Sequence, residues 1–267
     1  MKILIITISI FAVLSIAIFT GLQILPAPFE PIADGKEPFD TIPLPKDLPQ
    51  PVERFYRIIY DEEIPIIKTA VISGRARLVF GGINFPARFR FTHRAGKDYH
   101  HNIELALFGF PIMKANESYI DGTSRMILPF GTIENEPKVN QAANLGLWAE
   151  TLWFPAAFIT DERVEWEAVD ETTALLHVPF EQKTESFTVT FDPQTGYLRS
   201  METLRYKNAD SEVKTKWIND AILWGVIDGQ KIMTVGSATW QDDGKPWAIF
   251  TVEEIEYNTD ITFAISP

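Results

Sequence analysis

The chain opens with an unbroken apolar run. Ile3 to Leu25 reads ILIITISIFAVLSIAIFTGLQIL, polar only at Thr7, Ser9, Ser15, Thr20 and Gln23, and no charge appears until Glu30. A helix rises about 1.5 Å per residue and needs about 20 apolar residues to cross a bilayer. A cleaved secretory signal has a shorter apolar region, about 7–15 residues, and then a small-x-small cleavage site. Pro26-Ala27-Pro28 makes a poor one, so residues 1–25 read as an uncleaved transmembrane anchor. Lys2 and the amino terminus precede the span. Glu30, Asp34, Glu37 and Asp40 follow it, balanced only by Lys36. Positive charge on the inner side predicts a single-pass protein of the cell membrane, with its N-terminus cytoplasmic and the rest extracytoplasmic.

Residues 26–50 read as a linker. Pro26, Pro28, Pro31, Pro38, Pro43, Pro45 and Pro49 lie within it. Each fixes φ and lacks a donor, which predicts an extended stalk that lifts the following domain off the bilayer. At Pro51 the pattern turns helical. Val52, Phe55, Tyr56 and Ile59 recur at i, i+3, i+4 and i+7 and make one apolar face.

From Ile66 the period becomes two. Ala70, Ile72, Ala76, Leu78 and Phe80 share one face, and Ser73, Arg75 and Arg77 the other. After Gly81-Gly82, Phe85, Ala87, Phe89, Phe91 and His93 alternate with Arg88, Arg90 and Thr92. Such alternation marks half-buried antiparallel strands, here a hairpin with an apolar inner face and an arginine-bearing outer face. Further strands are predicted over 99–110, 118–130, 164–170, 173–180, 187–191 and 197–206. Hairpin turns are predicted at Asp192 to Gly196, Asp228-Gly229 and Asp243-Gly244. One helix interrupts them over 137–151. Val139, Ala142, Ala143, Leu147 and Thr151 form its stripe, and it ends before Trp153-Phe154-Pro155. The fold class is mostly β (α+β), one domain over residues 51–267. Short strands joined by hairpins predict an antiparallel sheet that curls or closes.

The chain resembles an uncharacterised bacterial domain-of-unknown-function family of membrane-anchored proteins. The matching segments are Leu48-Pro49-Gln50-Pro51-Val52, Ala149-Glu150-Thr151-Leu152-Trp153-Phe154-Pro155 and Val164-Glu165-Trp166-Glu167. The resemblance covers most of the chain after about residue 48. It implies a fold similar to the lipoprotein-localisation factors, a curled sheet or half-barrel around a central helix with an apolar cavity between. It implies no activity and no catalytic residues.

Composition narrows the function. Net charge −12 over 267 residues argues against nucleic acid as a partner, because phosphate neutralisation needs a basic surface. The absence of cysteine removes disulfides, thiolate nucleophiles, Cys-based zinc sites and a lipidation anchor. No G-x-S-x-G, P-loop, dinucleotide fingerprint or H-E-x-x-H occurs, so no catalytic residue, metal or cofactor is assigned. His100 and His101 point to opposite faces and cannot chelate together. His93 and His101 share inward registers and can meet, as a metal or general-base pair or, better, as partly buried core histidines bonded to the backbone. Glu150, at a helix end among rings, reads as a buried acid with a raised pKa or, better, as a structural acceptor tying the helix to the sheet.

Seven Trp and 19 Phe make the interior ring-rich. Trp148, Trp153, Phe154, Phe158, Trp166, Trp217 and Trp240 are the candidates to line a cavity for a lipid-like ligand, and equally to fill a core. Arg75, Arg77, Arg88 and Arg90 form the one basic patch, neutralised by cross-strand acids or open to an anionic head group. Three functions fit. The first is a non-catalytic envelope module binding a hydrophobic or lipid-like ligand. The second is an accessory subunit whose span (Ser9, Ala12, Ser15, Ala17) packs on partner helices of a membrane complex. The third is an unrecognised hydrolase.

Overall fold

The computed structural model describes residues 2–32 and 39–265. Asp34, Lys36 and Glu37, on which the charge asymmetry partly rests, lie outside the described residues. The first element is helix α1 (Lys2–Gly21), whose apolar side chains are exposed along its length. It is long and apolar enough to cross a membrane. The helix stops at Gly21 rather than at Leu25. The Phe108 N–H donates to the Gly21 carbonyl at 2.9 Å, and a Cβ at Gly21 would meet the Phe108 ring.

The second half of the 26–50 stretch is not free linker but carries β1 (Thr41–Pro43), and α2 (Gln50–Tyr60) and β2 (Glu63–Pro65) follow, with β1 and β2 paired as a small separate sheet. Helix α2 has Pro51 in its first turn, where a missing N–H costs nothing, and buries Val52, Phe55, Tyr56 and Ile59.

The main sheet has thirteen antiparallel strands in two runs. The first comprises β3 (Thr69–Phe80), β4 (Ile83–Arg94), β5 (Asp98–Leu107), β6 (Phe110–Ile120), β7 (Thr123–Leu128) and β8 (Gly131–Glu134). Next come α3 (Pro137–Glu150), a 3₁₀ turn at Thr151–Trp153 and α4 (Ala157–Thr160). The second run is β9 (Glu165–Ala168), β10 (Thr173–Phe180), β11 (Lys183–Phe191), β12 (Leu198–Arg205), β13 (Thr215–Ile227), β14 (Gln230–Trp240) and β15 (Pro246–Tyr257). Each run is a meander of neighbours, and the two join where β15 pairs with β3. β8 and β9 are therefore the outer edges of the sheet, and α3 connects them. A connection between opposite edges crosses a face of the sheet, and here α3 packs against β6, β7, β10 and β12. The sheet is open and curls around this helix. The Phe80 and Phe130 rings stack at 6.3 Å, although four strand steps separate β3 from β7.

Helix α3 is buried from Asn140 to Ala149, on every side. Its polar residues are therefore bonded, as burial requires. The Asn140 amide oxygen accepts from the Ser124 N–H and hydroxyl, Gln141 donates to Glu185 and to the Leu204 carbonyl, and Asn144 donates to the Pro179 carbonyl.

Two expectations change. The single strand over 118–130 is instead the hairpin β6–β7, turning at Asp121-Gly122 with φ of 47° and 81°. An Asp-Gly pair supplies the two positive φ values of the tightest hairpin turn. The linker does not stand off the sheet in its described first part. It lies along the outer face of β3 and β4, where Arg77 donates to the Leu22 carbonyl at 2.7 Å, Arg88 to that of Ala27 at 3.2 Å, and Arg90 to that of Glu30. Phe29 lies beneath the guanidinium groups of Arg88 and Arg90, 4.3 and 5.2 Å from its ring centre. A proline-rich strand leaves its carbonyls free, and arginines project five donors towards them.

Candidate ligand-binding site

The site is built on the inner face of β4, β5 and β6. Strand pairing aligns Phe91, His101 and Glu117 across the three strands, and sets His93 opposite Tyr99. His101 lies between two rings, 3.9 Å from Phe91 and 4.0 Å from Tyr99 centre to centre. The C-terminal end of α3 brings Glu150 down onto them. Its Oε2 is 2.7 Å from His101 Nε2 and 3.2 Å from His93 Nε2. The first contact is a hydrogen bond. The second is close but off the line of a ring N–H, so neither His93 nitrogen has a hydrogen-bond partner. Behind His101, Glu117 Oε2 is 3.9 Å from Nδ1, and the Tyr99 hydroxyl donates to Glu117 Oε1 at 2.5 Å.

These groups set one another's charge. Burial alone would raise the Glu150 pKa, but facing His101 and His93 holds it down at about 2. Burial alone would lower His101, and Glu150 with Glu117 overcomes it and lifts the imidazole to about 9. His93, wholly buried, is lowered by desolvation, which Glu150 only partly offsets. Burial, with Glu117 and Glu150 beside it, pushes the Tyr99 phenol well up.

Beside this cluster is a cavity of about 100 Å³ between the end of α3 and the sheet. His101, Glu117, Glu150 and Arg205 contribute polar lining, and Phe91, Trp153, Trp217, Trp247 and Phe250 contribute rings. Gly146 and Ala149, small residues on the cavity side of α3, leave the space. Five N–H donors on cavity-lining residues have no acceptor: Trp153 Nε1, Trp217 Nε1, Trp247 Nε1, Asn219 Nδ2 and Arg205 Nε. The Arg205 guanidinium stacks 4.2 Å over the Trp217 ring, which fixes its plane. Buried donors without acceptors are uncommon, since each forfeits about 1–3 kcal/mol of hydration.

One family matches over residues 37–252, most of the chain, and is described as a family of unknown function, DUF6544. The chain belongs to that family. No curated protein matches it. Among solved structures, it is similar to a DUF1329 family protein from Desulfovibrio piger (12% identity over 76% of this chain and 92% of that one, TM-score 0.43). It is also similar to a putative outer membrane lipoprotein-sorting protein domain from Vibrio parahaemolyticus (10%, 72% and 86%, 0.42). A third is a LolA superfamily protein from Nitrosomonas europaea (8%, 79% and 93%, 0.45).

Of the seven candidate cavity residues, Trp153 and Trp217 line the cavity. Trp148, Phe154 and Phe158 are fully buried core, Trp166 packs edge-on against Phe158 at 6.1 Å, and Trp240 packs beside Trp217 at 6.2 Å. The basic patch is engaged. Arg75 pairs with Glu253, Arg88 with Glu104 and Arg90 with Ser73 and Glu254, while Arg77 holds the linker. The expectation of histidines bonded to the backbone is corrected, since both face Glu150. Glu150 does tie helix to sheet, through imidazoles, and its pKa falls rather than rises.

Sequence reasoning missed Glu117, Arg205 and Asn219. The register implied by two hairpins would have placed Glu117 beside His101. No local signal brings Arg205 or Asn219 to the site, because they arrive from the opposite run of strands.

Proposed function

We propose that this is a membrane-tethered, non-catalytic envelope protein whose cavity takes the oxygen-rich end of a small amphiphile. The observation that carries the reading is a cavity in which the rings of Phe91, Trp153, Trp217, Trp247 and Phe250 stand beside the polar groups of His101, Glu117, Glu150 and Arg205. An uncharged hydroxyl or ester group meets such polar lining without facing the ionised Glu117 and Glu150 as a like charge, while its apolar neighbours contact the rings. The size of the space sharpens the expectation of a lipid-like ligand. Drug-sized pockets run to about 300–1,000 Å³, so a cavity of about 100 Å³ suits a head group or short chain rather than a whole acyl tail.

Tethering is supported by α1 and by the edge of the sheet beside it. The β3–β4, β5–β6 and β7–β8 hairpins turn at the same end of the sheet and expose Phe80, Ile83, Phe108, Phe110 and Phe130. Phe108 touches Gly21, where α1 ends. Exposed apolar clusters of this kind mark interaction surfaces, and this one faces the bilayer that α1 would enter. The charges around α1 favour an extracytoplasmic domain.

Native mass spectrometry of the full-length chain in mild detergent tests the binding reading. The expected result is a retained amphiphile with an uncharged, oxygen-rich head group, lost when Gly146→Leu fills the space beside α3. Wild-type protein that carries nothing and takes up no monoacylglycerol would overturn it.

A further inference from the structure

We propose that His93, His101 and Glu150 form a binding site for a divalent first-row transition metal, zinc by the chemistry of its donors. The three donor atoms lie within 4.8 Å of one another, and each imidazole turns its Nε2 towards the same carboxylate oxygen. A metal held at about 2.0–2.1 Å by each ligand sets the ligands about 3.3 Å apart and off each other's lone-pair axes. The His93–Glu150 contact has this form already, at 3.2 Å and off the N–H line. The His101–Glu150 contact, at 2.7 Å, would open by about half an ångström to reach the same spacing.

The state of His93 points the same way. Its side chain is fully buried, yet neither nitrogen makes a hydrogen bond. An imidazole evolved only for packing is more cheaply replaced by a ring without polar atoms. An imidazole nitrogen this close to a carboxylate, with a second imidazole donor within 4.8 Å, is satisfied by a cation between them.

The donor set selects the ion. Two imidazoles and one carboxylate suit zinc and its transition-metal neighbours, whereas magnesium and calcium take oxygen ligands. The surroundings are those of a ligand histidine. Glu117 lies behind His101, its Oε2 3.9 Å from Nδ1, and is itself fixed by the Tyr99 hydroxyl, so its charge favours an imidazole that binds a cation through Nε2. Three protein ligands leave a fourth position open. His101 and Glu150 both line the cavity, so that position faces it, within reach of water or of an oxygen-bearing ligand. The site stands apart from the amphiphile reading, because the metal is held by protein groups alone.

The test uses the full-length chain in detergent, stripped with a chelator and titrated with Zn²⁺ alone and Co²⁺ alone. The expected result is one ion per chain and, with cobalt, the visible absorption of a nitrogen- and oxygen-ligated site of low coordination number. Glu117→Gln, which touches no ion, weakens binding about 10–100-fold, and His93→Gln, His101→Gln and Glu150→Gln weaken it further. If a ligand variant does not fold, the wild-type stoichiometry and the cobalt spectrum decide. Two results would overturn the site: no stoichiometric binding by the wild type, or a cobalt spectrum of hexaaqua type. The amphiphile reading survives each of them, since its assay needs no metal.

Discussion

Glu150 Oε2 sits 2.7 Å from His101 Nε2, joining the last residue of the buried helix α3 to the middle of β5. In metal-free protein this is a largely buried pair, and removing Glu150 leaves His101 with only the more distant Glu117, 3.9 Å from Nδ1, to hold its charge. Glu150→Gln is expected to cost about 3 kcal/mol in chelator-treated protein. The exposed pair Arg125–Glu134, at 3.5 Å, is the control, and Glu134→Gln should change stability by less than about 1 kcal/mol. Denaturant midpoints of the two variants check the contrast.

The linker is held by arginines that depend on acids. Glu104 is buried between Arg88 at 2.6 Å and Lys114 at 2.7 Å, and although burial alone would raise its pKa, the two cations hold it below its usual value. A depressed carboxylate contributes stability that is present above its unfolded pKa of about 4.3 and is lost as pH falls below it. Acidification through this depressed value should therefore loosen Arg88 and free the linker. At neutral pH, Arg88→Ala with Arg90→Ala should do the same. Faster limited proteolysis or amide exchange over residues 22–32 is the expected readout, with the sheet still protected.

The chain has no cysteine, so single cysteines can be labelled without background. A spin label at Phe110→Cys, on the hairpin beside α1, is expected to report lipid contact in reconstituted bilayers. A label at Asp228→Cys, on the β13–β14 turn at the opposite end of the sheet, should report water. Equal water exposure at the two positions would mean that the aromatic edge does not rest on the membrane.

Gly74 lies where β15 approaches β3 most closely. A Cβ there would overlap the Thr251 carbonyl oxygen, beside the register shift at Val252 and Glu254. Gly74→Ala should cost about 3 kcal/mol by forcing the two strands apart. Gly81→Ala, at φ 56° with open space around it, should cost only about 1 kcal/mol of backbone strain. Thermal unfolding of the two variants separates the effects.

Much of this fold was legible in the alternation of its residues. The inward set Phe89, Phe91 and His93 against Arg88 and Arg90 gives β4 its two faces, and the helix over Pro137–Glu150 follows from its stripe and from Pro155 beyond it. The Asp121-Gly122 turn was missed although β7 alternates in burial, because β6 and β7 run on with only this Asp-Gly pair between them, and β8, exposed along all four residues, adds no period of its own. The site was half legible. His93 and His101 share a register that periodicity reveals, but Glu150 reaches them through a crossover helix and Arg205 through the far run of strands. Neither relation has a local signal, since both depend on how the sheet curls.

The seam between β3 and β15 has a consequence for how the protein is made. Arg75 and Glu253, which clasp it, are 178 residues apart in sequence. If the chain is delivered across a membrane from its N-terminus, β3 emerges early with one edge paired to β4 and the other bare until the last strand arrives. Pairings of such long range form slowly, and an open strand edge recruits other chains meanwhile. The arginines that bind the linker lie on that same strand and its neighbour. The proline-rich segment covers the face of those strands and not the bare edge, so only the arrival of β15 closes the site where a second chain could add.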